Sequence, residues 1–487
     1  MADDLKLEKV NKKKVGFCRF KEMDGRYLLT NEIGGFVFLT PPLFKQFVEG
    51  TLDKKSLIYK QLEENYFIKD ELDTKSLVEK YSCRKDFLLM GPSLHIVVVT
   101  LRCNQNCIYC QTSSSLTKGK SFDMTLETAK KTVDVIFKAP NHFITIEFQG
   151  GEPLINWPVI KYIVQYAKEK NKKAKKDLRM SMVSNFTLMD EEKYKFLSKN
   201  KVGICTSLDG PEMVHDRNRP WSKGSSHKNA VSWIKKMKKR EENDPSLYHV
   251  SAVLTASKFS LKYPKEIIDE YLSLGFGGIH LRPLSFLGFS GKRRIEIGYS
   301  MKEFLEFWKE AMDYIIEINK KGINFQEIYS RILLKKIFDK EEPNYGCLAS
   351  PCGAVIGQLL YNFDGNVFTC DEGRMVGDDT FLLGNVEKNS YEEIIFNDTS
   401  RSICTASLLD NLPCDYCVYK PYCGVCPVVN YALNKDIFAF LPGNEKCELN
   451  KRILDYLFRK LENKETRKVF KKWISFTGIT GFPNITS

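Results

Sequence analysis

Apolar positions follow two rhythms along the chain. Near the start, residues 14 to 20 (KVGFCRF), 26 to 31 (RYLLTN) and 34 to 39 (GGFVFL) are β-rich runs separated by Gly-containing turns, and amphipathic pieces follow at 41 to 49 and 54 to 65. That order predicts three short strands and then helices. A charged stretch, DELDTKSLVEKYSCRKD at 70 to 86, reads as a linker. The next run, LHIVVVTL at 94 to 101, is continuously apolar, which suits a parallel strand covered on both faces. From there predicted strands at 143–149, 178–184, 202–208, 249–256 and 278–283 alternate with predicted helices at 125–138, 156–170, 190–199, 225–240 and 263–274. Six β/α units result. Right-handed crossovers would curl them into a partial barrel with its chemistry at the carboxyl ends of the strands. A further helix is predicted at 301–320.

Composition narrows the class. A chain of 487 residues is long enough for about three domains of roughly 150 residues each. With 43% apolar and 28% charged residues it reads as a soluble globular protein, and no apolar run approaches the ~20 residues a membrane helix needs. The first residues, MADDLKLEKV, contain no apolar signal segment, so the expected compartment is the cytoplasm. Fifteen cysteines in such a chain argue for metal rather than disulfides. The excess of 74 basic over 61 acidic residues, a net +13, raises the question of a nucleic-acid partner. Its lysines concentrate at 168–179 and 235–244, which read as solvated helix ends. Neither nucleic acid nor membrane is expected as a partner.

The chemistry gathers around CNQNCIYC, where Cys103, Cys107 and Cys110 place three thiols on one loop after the first barrel strand. A structural zinc site closes with four protein ligands, whereas three thiolates on an iron-sulfur cube leave one iron open; a truncated zinc knuckle is the alternative. The other motifs fall at strand ends as well: FQGGEP (148–153), SNF (184–186), SLDGP (207–211) and LRPLS (281–285). Gly150 and Gly151 allow close backbone approach, and Glu152 suits an ammonium. Ser184 and Asn185 suit hydroxyl groups or helix caps. Asp209 and His215 read as serving the fold, Cys205 as core, and Cys18 and Cys83 as ordinary thiols.

The cysteine loop and GGE together resemble the radical S-adenosylmethionine (radical SAM) superfamily. The resemblance implies that Cys103, Cys107 and Cys110 hold a 4Fe-4S cluster and that Tyr109 stacks on adenine. Gly150, Gly151 and Glu152 would then meet the methionyl amino group, and Ser184 and Asn185 the ribose. SLDGPEMVHDRNRP is similar to a stretch of anaerobic sulfatase-maturating enzymes, which implies SAM contacts for Ser207 and Arg219. Asp371, directly after Cys370, stands where those enzymes have a candidate catalytic base; a turn cap is the alternative.

The last third carries Cys347, Cys352, Cys370, Cys414, Cys417, Cys423, Cys426 and Cys447. Twice four ligands would close two further clusters. The array resembles the SPASM domain of peptide-modifying radical SAM enzymes. That implies a nearer auxiliary cluster on Cys347, Cys352, Cys370 and Cys426 and a farther one on Cys414, Cys417, Cys423 and Cys447. The two residues between Cys423 and Cys426 depart from the usual three, zinc at one of the pairs is the alternative, and Cys404 fits neither set. The N-terminal unit resembles the winged-helix leader-peptide recognition domain of maturases of ribosomally made peptides, which holds an extended peptide along a strand edge; bracing the catalytic part is its alternative role.

The expected architecture is therefore α/β. It comprises a winged-helix-like leader-recognition domain (1–70), a linker (71–90), a partial (β/α)6 radical SAM barrel (91–325), a SPASM domain (326–450) and a C-terminal helix and tail (451–487). Over most of the chain, motifs such as GPSLHIVVVTLRCNQNCIYCQ and YNFDGNVFTCDEGRM are similar to the radical SAM maturase of His-Xaa-Ser peptide systems. This implies three 4Fe-4S clusters, SAM, a ribosomal precursor peptide with a leader, an electron donor such as flavodoxin or ferredoxin, and a paired second maturase. The implied reaction is an oxidative cross-link or cyclisation through a 5'-deoxyadenosyl radical. The rival is oxidation of Ser or Cys to formylglycine; a non-catalytic electron carrier or scaffold has little use for the GGE and ribose-end motifs. If the N-terminal unit only docks the leader, residues 1–70 can be removed with the barrel and both auxiliary sites left intact.

Overall fold

A computed structural model describes residues 10–112, 119–244, 249–285, 287–340, 342–343, 345–411, 413–438 and 445–475. Strands β1 (Arg19–Met23), β2 (Arg26–Thr30) and β3 (Phe36–Leu39) form a separate antiparallel sheet, followed by helices Pro41–Glu49 and Leu57–Glu64. Asp24 and Gly25 turn β1 into β2 at φ 51° and 77°, the left-handed pair that an Asp-Gly hairpin favours. The turn sets Met23 opposite Arg26 and places the first strand later than the run at 14–20 predicts. Val15 keeps only an isolated bridge to Ile68, because Gly16 is drawn onto the Phe67 carbonyl, to which its N–H donates at 2.8 Å. The stretch read as a linker also differs. It is helical over Thr74–Cys83, started by the Asp73 side chain accepting from the Lys75 and Ser76 amides, and its charges belong to a solvated helix without buried residues.

The main sheet has nine strands. Six run parallel, in spatial order β10-β8-β7-β6-β5-β4: β4 (Leu94–Thr100), β5 (Phe143–Gly150), β6 (Asp177–Ser184), β7 (Val202–Ser207), β8 (Ser251–Thr255) and β10 (Leu281–Arg282). Helices Leu126–Ile136, Trp157–Ala174, Glu191–Lys199, Ser226–Asn243 and Pro264–Ser273 connect them. The sixth strand, predicted as one run at 278–283, splits. Its first half, β9 (Gly278–Ile279), pairs with β11 (Gln326–Glu327), and only β10 joins β8. The buried Glu327 side chain accepts the Leu281 amide at 3.3 Å, supplying a bond that a strand partner would otherwise make.

Three more strands extend the sheet beyond β4. β12 (Gln358–Tyr361) lies parallel to β4, and β13 (Asn366–Phe368) and β14 (Leu382–Asn385) follow antiparallel. They cover the open edge of the six-stranded part, which would otherwise present unpaired backbone. The same chain segment then carries Cys370 and Asp371.

One large core joins the helix-facing side of the barrel, Val97 and Phe148 among it, to Met23 and Leu28 of the N-terminal unit and to Phe458 and Trp473 of the last helices, Glu445–Leu461 and Lys464–Ser475. The tail beyond 475 lies outside the described residues. The N-terminal unit also has a small core of its own around Phe47, Leu62 and Phe67. Helix Met301–Lys320 is started by a reciprocal cap between Ser300 and Glu303. Among the described residues no helix is long and apolar enough to cross a membrane.

Phe458 is the joint between the units. It is fully buried, with its ring 5.4 Å from Phe36 and 5.5 Å from Tyr422. Phe458→Ala is expected to destabilise the chain by about 3–5 kcal/mol, read as a lower urea midpoint of the main unfolding transition.

Candidate active site

The loop bearing Cys103, Cys107 and Cys110 leaves the end of β4 and is held from two sides. On one side the Gly151 amide donates to Thr100 O at 2.9 Å and the Glu152 amide to Arg102 O at 2.8 Å. A Cβ on Gly150 would meet the Thr100 oxygen at 2.2 Å, and one on Gly151 the Arg102 oxygen at 2.2 Å. Both glycines are therefore demanded within the chain itself. On the other side Asn106 donates to Pro220 O at 3.1 Å and Ile108 to Asn218 O at 2.9 Å, just past helix Glu212–Asn218. Arg102 is steadied by Asp123 at 2.9 and 2.5 Å. Burial raises the Cys103 thiol well above its usual range and pushes Cys107 up to about 11, the latter against Arg219, whose Nη1 lies 3.9 Å from the Cys107 sulfur. Such thiols stay protonated until a metal displaces the proton.

Glu152 is fully buried. It accepts from the Leu154 amide at 3.0 Å, the Asn185 amide at 2.8 Å and Ser184 Oγ at 2.9 Å. Burial pushes its carboxyl up to about 7 in spite of these three bonds. Asn185 also donates to Asn104 Oδ1 of the cysteine loop at 3.1 Å. The next helix is capped by Asp190 instead, so neither Ser184 nor Asn185 serves as its cap.

Tyr109 and Arg219 converge on Asp209. The Tyr109 hydroxyl donates to Asp209 Oδ2, Arg219 Nε reaches the same oxygen at 3.0 Å, and Arg219 Nη2 reaches Oδ1 at 3.3 Å. The guanidinium carbon sits 5.2 Å from the Tyr109 ring centre. Arg219 is 8% exposed and Asp209 is fully buried, so the ion pair stands out of water with its hydrogen bonds made. His215 Nδ1 accepts the Asp209 amide at 3.2 Å. Ser207 closes β7 beside Val253 of β8.

The remaining ligand candidates gather in two quartets. Beyond burial, the Cys352 thiol is influenced by Cys426 and Cys347, and Cys370 by Cys426 and Cys352. Cys414 is influenced by Cys423, Cys417 and Cys447. Cys404 lies on helix Asp398–Ala406 and is shifted by burial alone. Among the described residues, three liganding atoms fall within 4.8 Å of one another only at Glu32, Asp410 and Asp415; four thiolates on one zinc would sit about 3.8 Å apart.

Along β5, Ile144, Ile146 and Phe148 are buried while Thr145, Glu147 and Gln149 remain partly accessible, so the inner wall of the barrel is polar. Glu147 accepts from Gln149 Nε2 at 2.7 Å and from Ser181 Oγ at 3.3 Å, and burial raises its carboxyl. The Asp371 carboxyl is also pushed up by burial, with Arg374 the strongest opposing influence at 4.0 Å. Asp371 Oδ1 has no hydrogen-bond partner among the described residues. Arg374 is 8% exposed; its Nη1 donates to Thr112 O at 3.3 Å, while Nε and Nη2 have no hydrogen-bond acceptor among the described residues.

Residues 97–241 match the model of the Radical SAM superfamily. This segment is a radical SAM domain. A cysteine-type anaerobic sulfatase-maturating enzyme of Clostridium perfringens is 26% identical over 378 residues, 76% of this chain and 97% of that protein. The radical SAM cyclopropyl synthase TigE of Paramaledivibacter caminithermalis is 25% identical over 344 residues, 68% of this chain and 66% of that one. Among solved structures, Streptococcus suis SuiB bound to precursor peptide SuiA shares the fold at TM-score 0.53 and 15% identity, over 89% of this chain and 98% of that one. The radical SAM family implies SAM and a 4Fe-4S cluster, and the triad of thiols on a loop held at both ends fits them.

Two side chains of this site escape sequence reasoning. Asp209 reads as a fold residue, yet it ties two expected SAM contacts of the radical SAM domain together; the signal was an acid ten residues before an Arg. Arg374 lies three residues after Asp371 on the short helix Asp371–Met375, and only burial marks it.

Glu152 carries a pH signature. Between its usual 4.5 and about 7 the folded chain keeps a proton that the unfolded chain has released, so the stability it contributes is full below pH 4.5 and lost as pH rises to about 7. Glu152→Gln removes that dependence. Denaturation of both proteins across this window is expected to show the wild type losing up to ~3 kcal/mol relative to the variant; a constant difference refutes the shift.

Proposed function

We propose that the chain is a radical SAM maturase of a ribosomally made precursor peptide, forming an oxidative side-chain cross-link or cyclisation. The observation that carries this reading is the cysteine loop held between the GGE turn and the Asp209–Arg219 pair. Cys103, Cys107 and Cys110 would hold the SAM-binding 4Fe-4S cluster. Tyr109, Gly150, Gly151, Glu152, Ser184, Asn185, Ser207 and Arg219 would form the SAM pocket. The quartets Cys347, Cys352, Cys370, Cys426 and Cys414, Cys417, Cys423, Cys447 would hold two auxiliary 4Fe-4S clusters. Reductive cleavage of SAM on such a cluster supplies a 5'-deoxyadenosyl radical.

The residues divide the remaining work. Glu152, neutral or charged near pH 7, can meet an ammonium at the end of β5. Arg219, pinned by Asp209, presents Nη1 on the cysteine-loop side for a carboxylate. Arg374 offers a peptide carbonyl two donors that have no acceptor among the described residues. Asp371, its carboxyl raised by burial, takes the role of a base that accepts a proton from the peptide. The barrel wall keeps water from the reacting carbon. In this reading the leader docks on the N-terminal unit, a flavodoxin or ferredoxin delivers electrons, the compartment is the cytoplasm, and the partner is a second maturase as in His-Xaa-Ser systems. Formylglycine formation is the second reading, favoured by the match to 97% of the Clostridium perfringens sulfatase-maturating enzyme.

Cys103→Ala is expected to abolish 5'-deoxyadenosine formation by the reconstituted protein; unchanged formation overturns the cluster assignment. Mass spectrometry of modified precursor separates the two products, since a cross-link loses two hydrogens without aldehyde reactivity and formylglycine reacts with hydrazide probes. Arg374→Met removes donors worth about 1.5–3 kcal/mol each when charge-assisted. It is expected to raise the peptide KM at least ~10-fold, with a smaller effect on kcat, in steady-state assays of precursor modification.

A further inference from the structure

Three of the four cysteines of the farther quartet, Cys414, Cys417 and Cys423, sit on a segment that has little regular structure of its own. It is built from the 3-10 turns Pro413–Tyr416 and Lys420–Tyr422. Internal backbone bonds are few: Cys417 N to Cys414 O at 2.9 Å, Lys420 N to Cys417 O at 3.0 Å, Tyr422 N to Tyr419 O at 3.0 Å and Cys423 N to Lys420 O at 3.3 Å.

The N-terminal unit supplies the missing bonds. Thr30 Oγ1, fully buried, donates to Val418 O at 2.6 Å. Arg19, 4% exposed, donates through Nε to the Asp415 carbonyl and reaches Asp415 Oδ1 at 3.0 Å through Nη2. Lys21 Nζ reaches the Tyr419 hydroxyl at 3.2 Å, and the Tyr422 hydroxyl donates to Gly34 O at 3.1 Å. Beyond the unit, Arg84 donates to the Pro421 carbonyl. The trio Glu32, Asp410 and Asp415 is explained by the same joint: Lys420 reaches all three carboxylates, and Arg19 reaches Glu32 and Asp415, so an internal cation occupies the place of a metal. Cys447, the fourth ligand, lies on the helix whose Phe458 packs on Phe36 of β3.

We propose that the N-terminal unit is a structural half of the farther iron-sulfur site, with Thr30 and Arg19 as positioning residues that hold its ligand loop. The proposal rests on the reading of Cys414, Cys417, Cys423 and Cys447 as cluster ligands. It runs against the expectation that residues 1–70 can be removed without touching the auxiliary sites. Without the unit, the carbonyls of Asp415 and Val418 lose their donors, and the loop loses the bonds that set its course. A peptide that docks on the unit then acts on the potential of the farther cluster through the same bonds.

The test uses the full chain, reconstituted anaerobically, with iron and sulfide counted and each cluster's potential titrated by EPR. Wild type is expected to hold about twelve irons. A Thr30→Val/Arg19→Gln variant is expected to hold about eight while still cleaving SAM without peptide at the wild-type rate. Thr30→Ser, which keeps the hydroxyl, restores the full count. If the double variant loses all iron, Thr30→Val alone decides: a shift confined to one cluster potential supports the proposal. Twelve irons and three unshifted potentials in both variants overturn it. Eight irons or fewer in wild type would instead overturn the reading of the farther quartet, which separates the two failures.

Discussion

Two carbonyl oxygens, those of Thr100 and Arg102, occupy the space that side chains on residues 150 and 151 would need. Everything at the candidate centre follows from this contact. Because the end of β5 can press directly on the backbone leaving β4, Glu152 is delivered into the interior, and the cysteine loop begins from a fixed point. Any side chain at either position would push the loop away by more than an ångström. The glycines are thus a steric requirement of the protein before they are a feature of any ligand site.

The second organising force is electrostatic and acts where water is excluded. Arg219 is held between Asp209 and the ring of Tyr109, so its charge is fully compensated and its direction set. Glu152 has hydrogen bonds but, among the described residues, no cation. A buried acid kept that way is destabilising for the fold and useful to a ligand carrying positive charge, which is the usual mark of a functional position. Arg374 is the complementary case, a buried cation 4.0 Å from Asp371 with two donors that lack an acceptor among the described residues.

The parallel strands and the cysteine loop were legible because each carries a strong local signal: continuous apolar runs of Val and Ile for β4, and side chains at strand ends whose chemistry has few other uses. What was not legible depended on distant partners. The exception is local: the Asp24-Gly25 hairpin turn fixes β1 at Arg19–Met23. The split of the sixth strand depends on Glu327, a residue remote in the chain whose side chain substitutes for backbone. No periodicity could announce β12, a four-residue strand whose only reason to exist is the edge of β4. The helix at Thr74–Cys83 was hidden by its charges, since an exposed helix with no buried face has little apolar rhythm to read.

The pairing of β12 with β4 also orders events in time. His95 and Tyr361, in contact at 3.2 Å across that pair, are 266 residues apart. At a translation speed of 5–20 residues per second, β4 waits on the order of tens of seconds for its second neighbour. The contacts that shape the cysteine loop at Gly151, Glu152, Asn218 and Pro220 are all synthesised well within that interval. The loop can therefore close while one flank of its strand is still bare. A nascent chain in that condition exposes a long apolar edge to its surroundings, and the last third of the protein is what finally shields it.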